Sequence, residues 1–359
     1  MTALLSTEQQ TTTGYRRLLR RKKGIGLLLF VLLIIAALLS IRTGSLPTSD
    51  AELIKTLLSF CREGRIGHVI WNIRLPRTVA ALLAGAGLGM AGAVMQNILK
   101  NPLASPFTIG VSQGAAFGAA FAIIILGAGQ TQLAGTDMVT IASPHLVVAC
   151  AFIGSLLTVI FILALSSLKD IAPEAVILAG VALSAFFGAG TMLLQYFGDN
   201  VQVAATVFWT FGDLGKAGWL ENGLILLAVV PAGLFFFADR WNYNALQWGD
   251  DVARSLGVPV RRLRITAMIL AAFTVAVSTS FLGIIGFVGL MAPHLMRFAV
   301  GDDYRYLLPS SAVCGALLLL VSDLVARTII APVILPVGII TSFAGAPLFL
   351  YMLAKKKRM

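Results

Sequence analysis

The chain has 359 residues, of which 58% are hydrophobic and only 12% charged, and its mean hydropathy is +0.90. A soluble domain carries about 25% charged residues, so this composition excludes an ordinary soluble enzyme. The net charge of +11 raises the question of a nucleic-acid partner, but the charge sits at the ends of apolar runs, as membrane topology requires, and excludes that reading.

One spanning helix takes roughly 20 apolar residues. Runs of that kind cover 24–41, 77–99, 107–127, 145–167, 174–195, 221–239, 265–282, 284–300, 308–330 and 336–354. The expectation is an all-α polytopic membrane protein of about ten transmembrane helices. Residues 1–23 read as a basic tail, 24–354 as the transmembrane domain and 355–359 as a second basic tail. The first run could pass for a signal-peptide core, but Ser40-Ile-Arg-Thr is a poor cleavage site, so it reads as a retained span.

Alternating the spans from a cytoplasmic N-terminus puts most of the 27 lysines and arginines inside. Arg16, Arg17, Arg20, Arg21, Lys22 and Lys23 precede the first span; Lys355, Lys356, Lys357 and Arg358 follow the last. Lys100, Lys169, Arg240, Arg254, Arg261, Arg262, Arg264, Arg297 and Arg305 also fall inside. Both termini are therefore expected in the cytoplasm of a multi-pass protein of the cytoplasmic (inner) membrane. The exceptions cluster: Arg42, Lys55, Arg62, Arg65, Arg74 and Arg77 crowd one outside segment, with Lys216 and Arg327 elsewhere on that side.

Within the second span, Gly87-Leu-Gly89-Met-Ala-Gly92 matches a dinucleotide fingerprint. It lacks the preceding strand that such a site needs. Gly85, Gly89 and Gly92 instead share a helix face that would admit another helix closely. Met90, Met95, Gln96 and Asn97 in this span are soft or polar candidates for a translocation pathway. Ser184 and Ser342 are further candidates, set in similar stretches, Gly180-x-x-x-Ser184 and Gly338-x-x-x-Ser342, each followed by Gly-Ala. All six residues equally suit helix packing. The two stretches lie five spans apart, as an inverted internal repeat would place them.

Gly212-Asp-Leu-Gly215-Lys216 is a truncated phosphate loop, so ATP binding by this chain is not expected. Residues 203–211 read as a short amphipathic helix in an outside loop. Cys61, Cys150 and Cys314 are far apart, and His294 has no Cys or His beside it, so neither a disulfide framework nor a metal site is expected. No cofactor is expected. Asp323 and Arg327 are four residues apart on one helix face and read as a self-contained pair. That pairing speaks against an ion-driven secondary transporter, a different class that would show unpaired intramembrane acids. A membrane-embedded enzyme lacks any nucleophile or acid–base cluster.

The longest polar stretch, 240–264, reads RWNYNALQWGDDVARSLGVPVRRLR. Trp248–Leu256 suits a short helix with Asp250 and Asp251 in its first turn. Gly257 supplies a stop, and Pro259 can open a second short helix. A connecting loop and a docking element both fit this pattern. Likewise, Arg74 and Arg77 suit either anionic lipid headgroups or an acidic partner.

Several stretches resemble one known family: Arg74-Leu-Pro-Arg77, Gly92-Ala-Val-Met-Gln96, Asn101-Pro-Leu-Ala104, Gly110-Val-Ser-x-Gly114, Gly286-Phe-Val-Gly-Leu290, Pro293-His294, Arg297 and Gly345-Ala-Pro347. They are similar to FecCD-type permeases, the membrane subunits of bacterial ABC importers for iron–siderophores, haem and vitamin B12. The resemblance runs from about residue 24 to the C-terminus and is specific to family, not to substrate. It implies a homodimer with two ATPase subunits below and one substrate-binding protein outside. It implies a pathway lined partly by 174–195 and 336–354. ATPase coupling would fall to Asp250, Ala253, Arg254, Ser255, Leu256, Gly257 and Val258. Arg74, Arg77 and Arg327 would face carboxylates of the binding protein. The expected cargo is an iron(III)–siderophore or related metal chelate, with haem and vitamin B12 as alternatives.

Overall fold

The computed structural model describes residues 2–44, 46, 48–59, 62–129, 143–168 and 173–356. Cys61, Lys169 and the last three residues lie outside the described residues. The first elements are α1 (Thr2–Arg42), α2 (Asp50–Leu58), α3 (Gly64–Val69), α4 (Leu75–Ile98) and α5 (Val111–Ala120). Then follow α6 (Pro144–Leu168), α7 (Pro173–Phe197), α8 (Asn200–Thr210), α9 (Trp219–Ala238), α10 (Arg240–Leu246) and α11 (Asp250–Ser255). The chain ends with α12 (Val260–Leu282), α13 (Val288–Val300), α14 (Tyr304–Thr328) and α15 (Val337–Lys356).

Among the described residues, 7 helices are long and apolar enough to span a membrane, and three shorter apolar helices cover 111–125, 288–300 and 337–351. Each of the ten apolar runs thus has its helix, though boundaries move. The second run begins at Gly64, not 77, because a π-turn over Ile70–Arg74 joins α3 to α4 and Pro76 sits in the first turn of α4. Proline there has no N–H to give the π-turn, and the Trp71 carbonyl accepts from Trp219 Nε1 at 2.8 Å instead. The seventh span begins at Val260, with Arg261, Arg262 and Arg264 in its first turns. The eighth shrinks to 13 residues, about 20 Å at 1.5 Å per residue. Non-helical backbone beside it must therefore find partners inside the protein. It does: Asp213 N–H donates to the Leu282 carbonyl (2.8 Å), and Gly338 N–H to the Gly212 carbonyl (3.3 Å).

The helices pack as two similar sets. In the first, α5 packs on α6 and α7, and α6 on α7; in the second, α13 packs on α14 and α15, and α14 on α15. Across the two sets α4 packs on α13 and α14, while α12 packs on α5 and α6. The short helices α5 and α13 both follow a left-handed residue, Gly110 (φ 89) and Phe287 (φ 64). The repeated serines match too: Ser184 Oγ donates to the Gly180 carbonyl and Ser342 Oγ to the Gly338 carbonyl, each at 2.8 Å. The outer helices break the symmetry, since α1 lies on α14 whereas α9 lies on α4 and α12.

The Lys22 ammonium stands 5.3 Å over the Tyr306 ring, and Asn244 on α10 bonds Asp303 at 3.0 Å. The basic flank of α1 and the α10–α11 segment therefore share one end of the bundle. Because α15 runs beside α13 in the same direction, with Gly345 on Phe287 and Phe349 on His294, its basic last turn points to that end as well.

At the centre is α4, the most buried of the spans. Its glycines form the expected contact face. A methyl group on Gly85 would overlap backbone at Gly315 and Ala316, one on Gly89 the Ser311 carbonyl, and one on Gly92 the Gly289 carbonyl. Gly92→Ala must push α13 away, an overpacking cost of about 1–3 kcal/mol. Gly223→Ala meets nothing within 4 Å and gains up to about 1 kcal/mol of helix propensity. Thermal unfolding in detergent should show Gly92→Ala melting below the parent and Gly223→Ala at or above it.

Candidate functional site

The α10–α11 segment is a built element. Its helices meet at Gly249 (φ 111). After α11, Gly257 N–H donates to the Arg254 carbonyl (2.9 Å) and Val258 N–H to the Ala253 carbonyl (3.0 Å). Gly257 has φ 83. This is the Schellman stop, which needs a left-handed residue after the cap. The two short helices thus lie before Gly257, at 240–246 and 250–255, while Pro259 opens the long α12 and not a second short helix. The reason is burial: Tyr243 and Leu246 are covered, which fixes α10 against the bundle.

The seven residues assigned to this loop divide into two faces. Ala253 and Val258 are buried toward the bundle, and Asp250 is partly buried. Arg254, Ser255, Leu256 and Gly257 are exposed. Leu256 is 67% exposed, and beside it Trp248 is 79% and Val252 44% exposed. Trp248 and Val252 escaped the sequence reading, although Trp248, Val252 and Leu256 fall four apart. Asp250 holds the segment in place. Its carboxylate takes Lys100 Nζ at 2.7 Å and two Arg264 nitrogens at 2.8 Å each. Burial pushes this carboxyl up, but the Lys100 hydrogen bond and the Arg264 guanidinium outweigh burial and hold it below its ordinary value.

At the opposite end Arg74, Arg77 and Arg327 converge, and all three are turned inward. Arg74 is 3% exposed. It donates to the carbonyls of Ile41 (3.1 Å), Arg42 (3.0 Å) and Leu46, and to Thr48 Oγ1 (2.9 Å). It thereby satisfies the open C-terminal carbonyls of α1. Arg77 bonds Asp323 Oδ1 at 2.7 Å and pairs with Asp213 Oδ1 at 3.1 Å. Arg327 meets Asp323 Oδ2 at 3.0 Å, Ser40 Oγ at 2.8 Å and the Thr43 carbonyl at 2.9 Å. The expected self-contained Asp323–Arg327 pair is therefore a shared carboxylate, because α4 and α14 pack closely enough for Arg77 to reach it. Lys55, Arg62 and Arg65 at this end are exposed instead.

The pathway candidates spread out. Met90 packs on Gly233 of α9. Met95 is fully buried. Gln96 donates to the Leu290 carbonyl (3.3 Å) and Asn97 to the Tyr243 carbonyl (3.1 Å), fastening α4 to α13 and α10. Ser184 is half-buried. Ser342 lines a cavity of about 310 Å³ with Phe107, Phe211, Ile284, Ile339 and Phe343. The cavity forms where the non-helical stretches of both halves meet, a junction that periodicity cannot reveal. His294 is buried between the rings of Phe298 and Phe349. Among the described residues no group of three or more His, Cys, Asp or Glu could hold a metal ion.

Asp323 is fully buried between two guanidiniums. Asp323→Asn leaves Arg327 without its anion and Arg77 with only the partly exposed Asp213, which costs about 3–5 kcal/mol in a buried network. The variant should unfold well below the parent in detergent, whereas Arg65→Gln, at an exposed site, should unfold with it.

The model of the FecCD transport family matches residues 32–355. A protein of Methanocaldococcus jannaschii named as an ABC transporter permease is 48% identical over 92% of this chain and 94% of its own length. The hemin transport system permease HmuU of Yersinia pestis is 36% identical over 92% of this chain and 95% of its own. The vitamin B12 import permease BtuC of Salmonella paratyphi A is 34% identical over 87% and 95%. A solved inward-facing metal-chelate type ABC transporter superposes with TM-score 0.77 at 30% identity, covering 93% of this chain and 99% of that one. The chain belongs to the FecCD transport family and is a multi-pass permease of the ABC importer type.

Proposed function

We propose that this permease moves an iron(III)–siderophore or related metal chelate into the cytoplasm, driven by a separate ATPase subunit docked on α10 and α11. One observation carries the coupling half of this reading. Trp248, Val252 and Leu256 expose an apolar patch on a segment clamped to the bundle at its basic end. Beyond the spans such a patch meets water unless a partner covers it. Asp250, Ala253 and Val258 shape this surface from beneath; Arg254, Ser255, Leu256 and Gly257 present it. The positive-inside rule puts this end, with both termini, in the cytoplasm.

A metal chelate is supported by the solved relative named for that cargo class. Haem and vitamin B12, named for other relatives, remain the alternatives. A second copy of the chain fits the open apolar faces of α7 and α15, where Phe186, Tyr196, Phe197, Phe343 and Tyr351 are all more than 60% exposed. A substrate-binding protein fits the opposite end. Arg74, Arg77 and Arg327 build that surface. In this conformation an acidic partner meets Lys55, Arg62 and Arg65 first, and the charge attraction sets mainly its on-rate. The cavity around Ser342 lies between the two ends and suits a passing ligand.

The test is retention of the ATPase subunit when the permease is purified. Leu256→Asp places a lone carboxylate in the contact, and Gly257→Pro cannot adopt a positive φ. Both should leave the permease in the membrane, release the ATPase and cut uptake at least tenfold. Retained ATPase with normal uptake in both variants would make the segment a mere connector.

A further inference from the structure

The exposed face of α10–α11 explains where a partner sits. It does not explain how a push there reaches the far end of the molecule. The fastening beneath the segment does. Asn97 on α4 holds the Tyr243 carbonyl of α10 at 3.1 Å. Lys100, two residues beyond α4, holds Asp250 Oδ1 of α11 at 2.7 Å. Arg264 on α12 grips both oxygens of Asp250 at 2.8 Å and also donates through Nε to the Ile98 carbonyl, the last of α4, at 3.0 Å. Lys100 itself has φ 47. A non-glycine residue persists in that region only where its surroundings hold it.

The segment is thus tied to the end of α4 by three side chains, from α4, the turn after it and α12, not only through its own chain neighbours. α4 is poorly placed to absorb the motion by bending, because its glycine face has backbone pressed on backbone along α13 and α14. At its other end Arg77 holds Asp213 at 3.1 Å. Asp213 belongs to the stretch after α8 whose neighbours Phe211 and Gly212 line the cavity and bond to Ile284 and Gly338. One continuous set of contacts therefore runs from the partner-facing segment, along α4, to the cavity wall.

We propose that Lys100 and Arg264 are positioning residues that clamp Asp250 to the end of α4, so that α4 transmits movement of the docked ATPase to the cavity wall at Asp213. This inference rests on the docking reading above. Its substance is the clamp: bound ATPase and ATP hydrolysis should survive loss of the clamp, while their effect on the cavity should not. A purely structural role for these residues would instead show as lost stability or lost ATPase.

The experiment uses the permease–ATPase complex in lipid nanodiscs, with a cysteine introduced at Thr210 on a cysteine-free background. The labelling rate at that cysteine is measured with and without ATP, alongside ATP hydrolysis. Lys100→Met removes a half-exposed side chain and keeps the fold; Arg264→Lys keeps the charge but loses the two-point grip. Both should keep the ATPase bound and hydrolysing within about twofold of the parent, lose the ATP-dependent change in labelling, and lower uptake at least fivefold. An unchanged ATP response in both variants overturns the proposal, as does release of the ATPase by Lys100→Met. Leu256→Asp run in parallel separates the two ideas. If it leaves the ATPase bound, the docking reading fails. If it releases the ATPase while Lys100→Met behaves as the parent, docking stands and the clamp fails.

Discussion

The close approach of α4 to α13 and α14 is the constraint on which the rest depends. Helices in lipid gain little from burying apolar surface against one another, so contact must come from shape. Gly85, Gly89 and Gly92 let backbone meet backbone there. That proximity brings Arg77 within 2.7 Å of Asp323 on another span. It also sets Tyr304 Oη 2.7 Å from the Ala93 carbonyl, tying the start of α14 to the same helix. Larger residues at these glycines would separate Arg77 from Asp323 and Tyr304 from the Ala93 carbonyl.

Charge is distributed to match. Ionic clusters occupy the two ends of α4, around Asp250 and around Asp323, while the described stretch between Arg77 and Lys100 carries no charge. The cavity between them is lined by aromatic, aliphatic and hydroxyl groups. Such a lining offers a large chelate no strong fixed contact that would hold it.

Much of the fold was legible because a lipid environment imposes long apolar runs, and ten of them stand out. The boundaries were less so. The second span reads as starting at 77, yet a π-turn over Ile70–Arg74 joins it to the helix before, so that it begins at Gly64. Pro259 reads as the start of a short helix, yet the polar first turns of α12 continue straight into the span. The stop at Gly257 was legible because it depends on one local backbone angle. The arginines were only partly so. Arg327 could be paired with Asp323 from their spacing, but Arg74 and Arg77 look like unexplained charge on the wrong side, and only three-dimensional packing shows that α1 carbonyls, Asp213 and Asp323 absorb them. Lys100 counted as one more topology charge, because its partner Asp250 is 150 residues away in sequence.

The central claim is that α11 and the end of α4 move as one body. Distances between spin labels at Ser255 on α11 and Leu103 just beyond α4, in the ATPase-bound complex, test it directly. The separation should stay constant with and without ATP while the distance between the Ser255 labels of the two copies changes. A nucleotide-dependent change between Ser255 and Leu103 would contradict it.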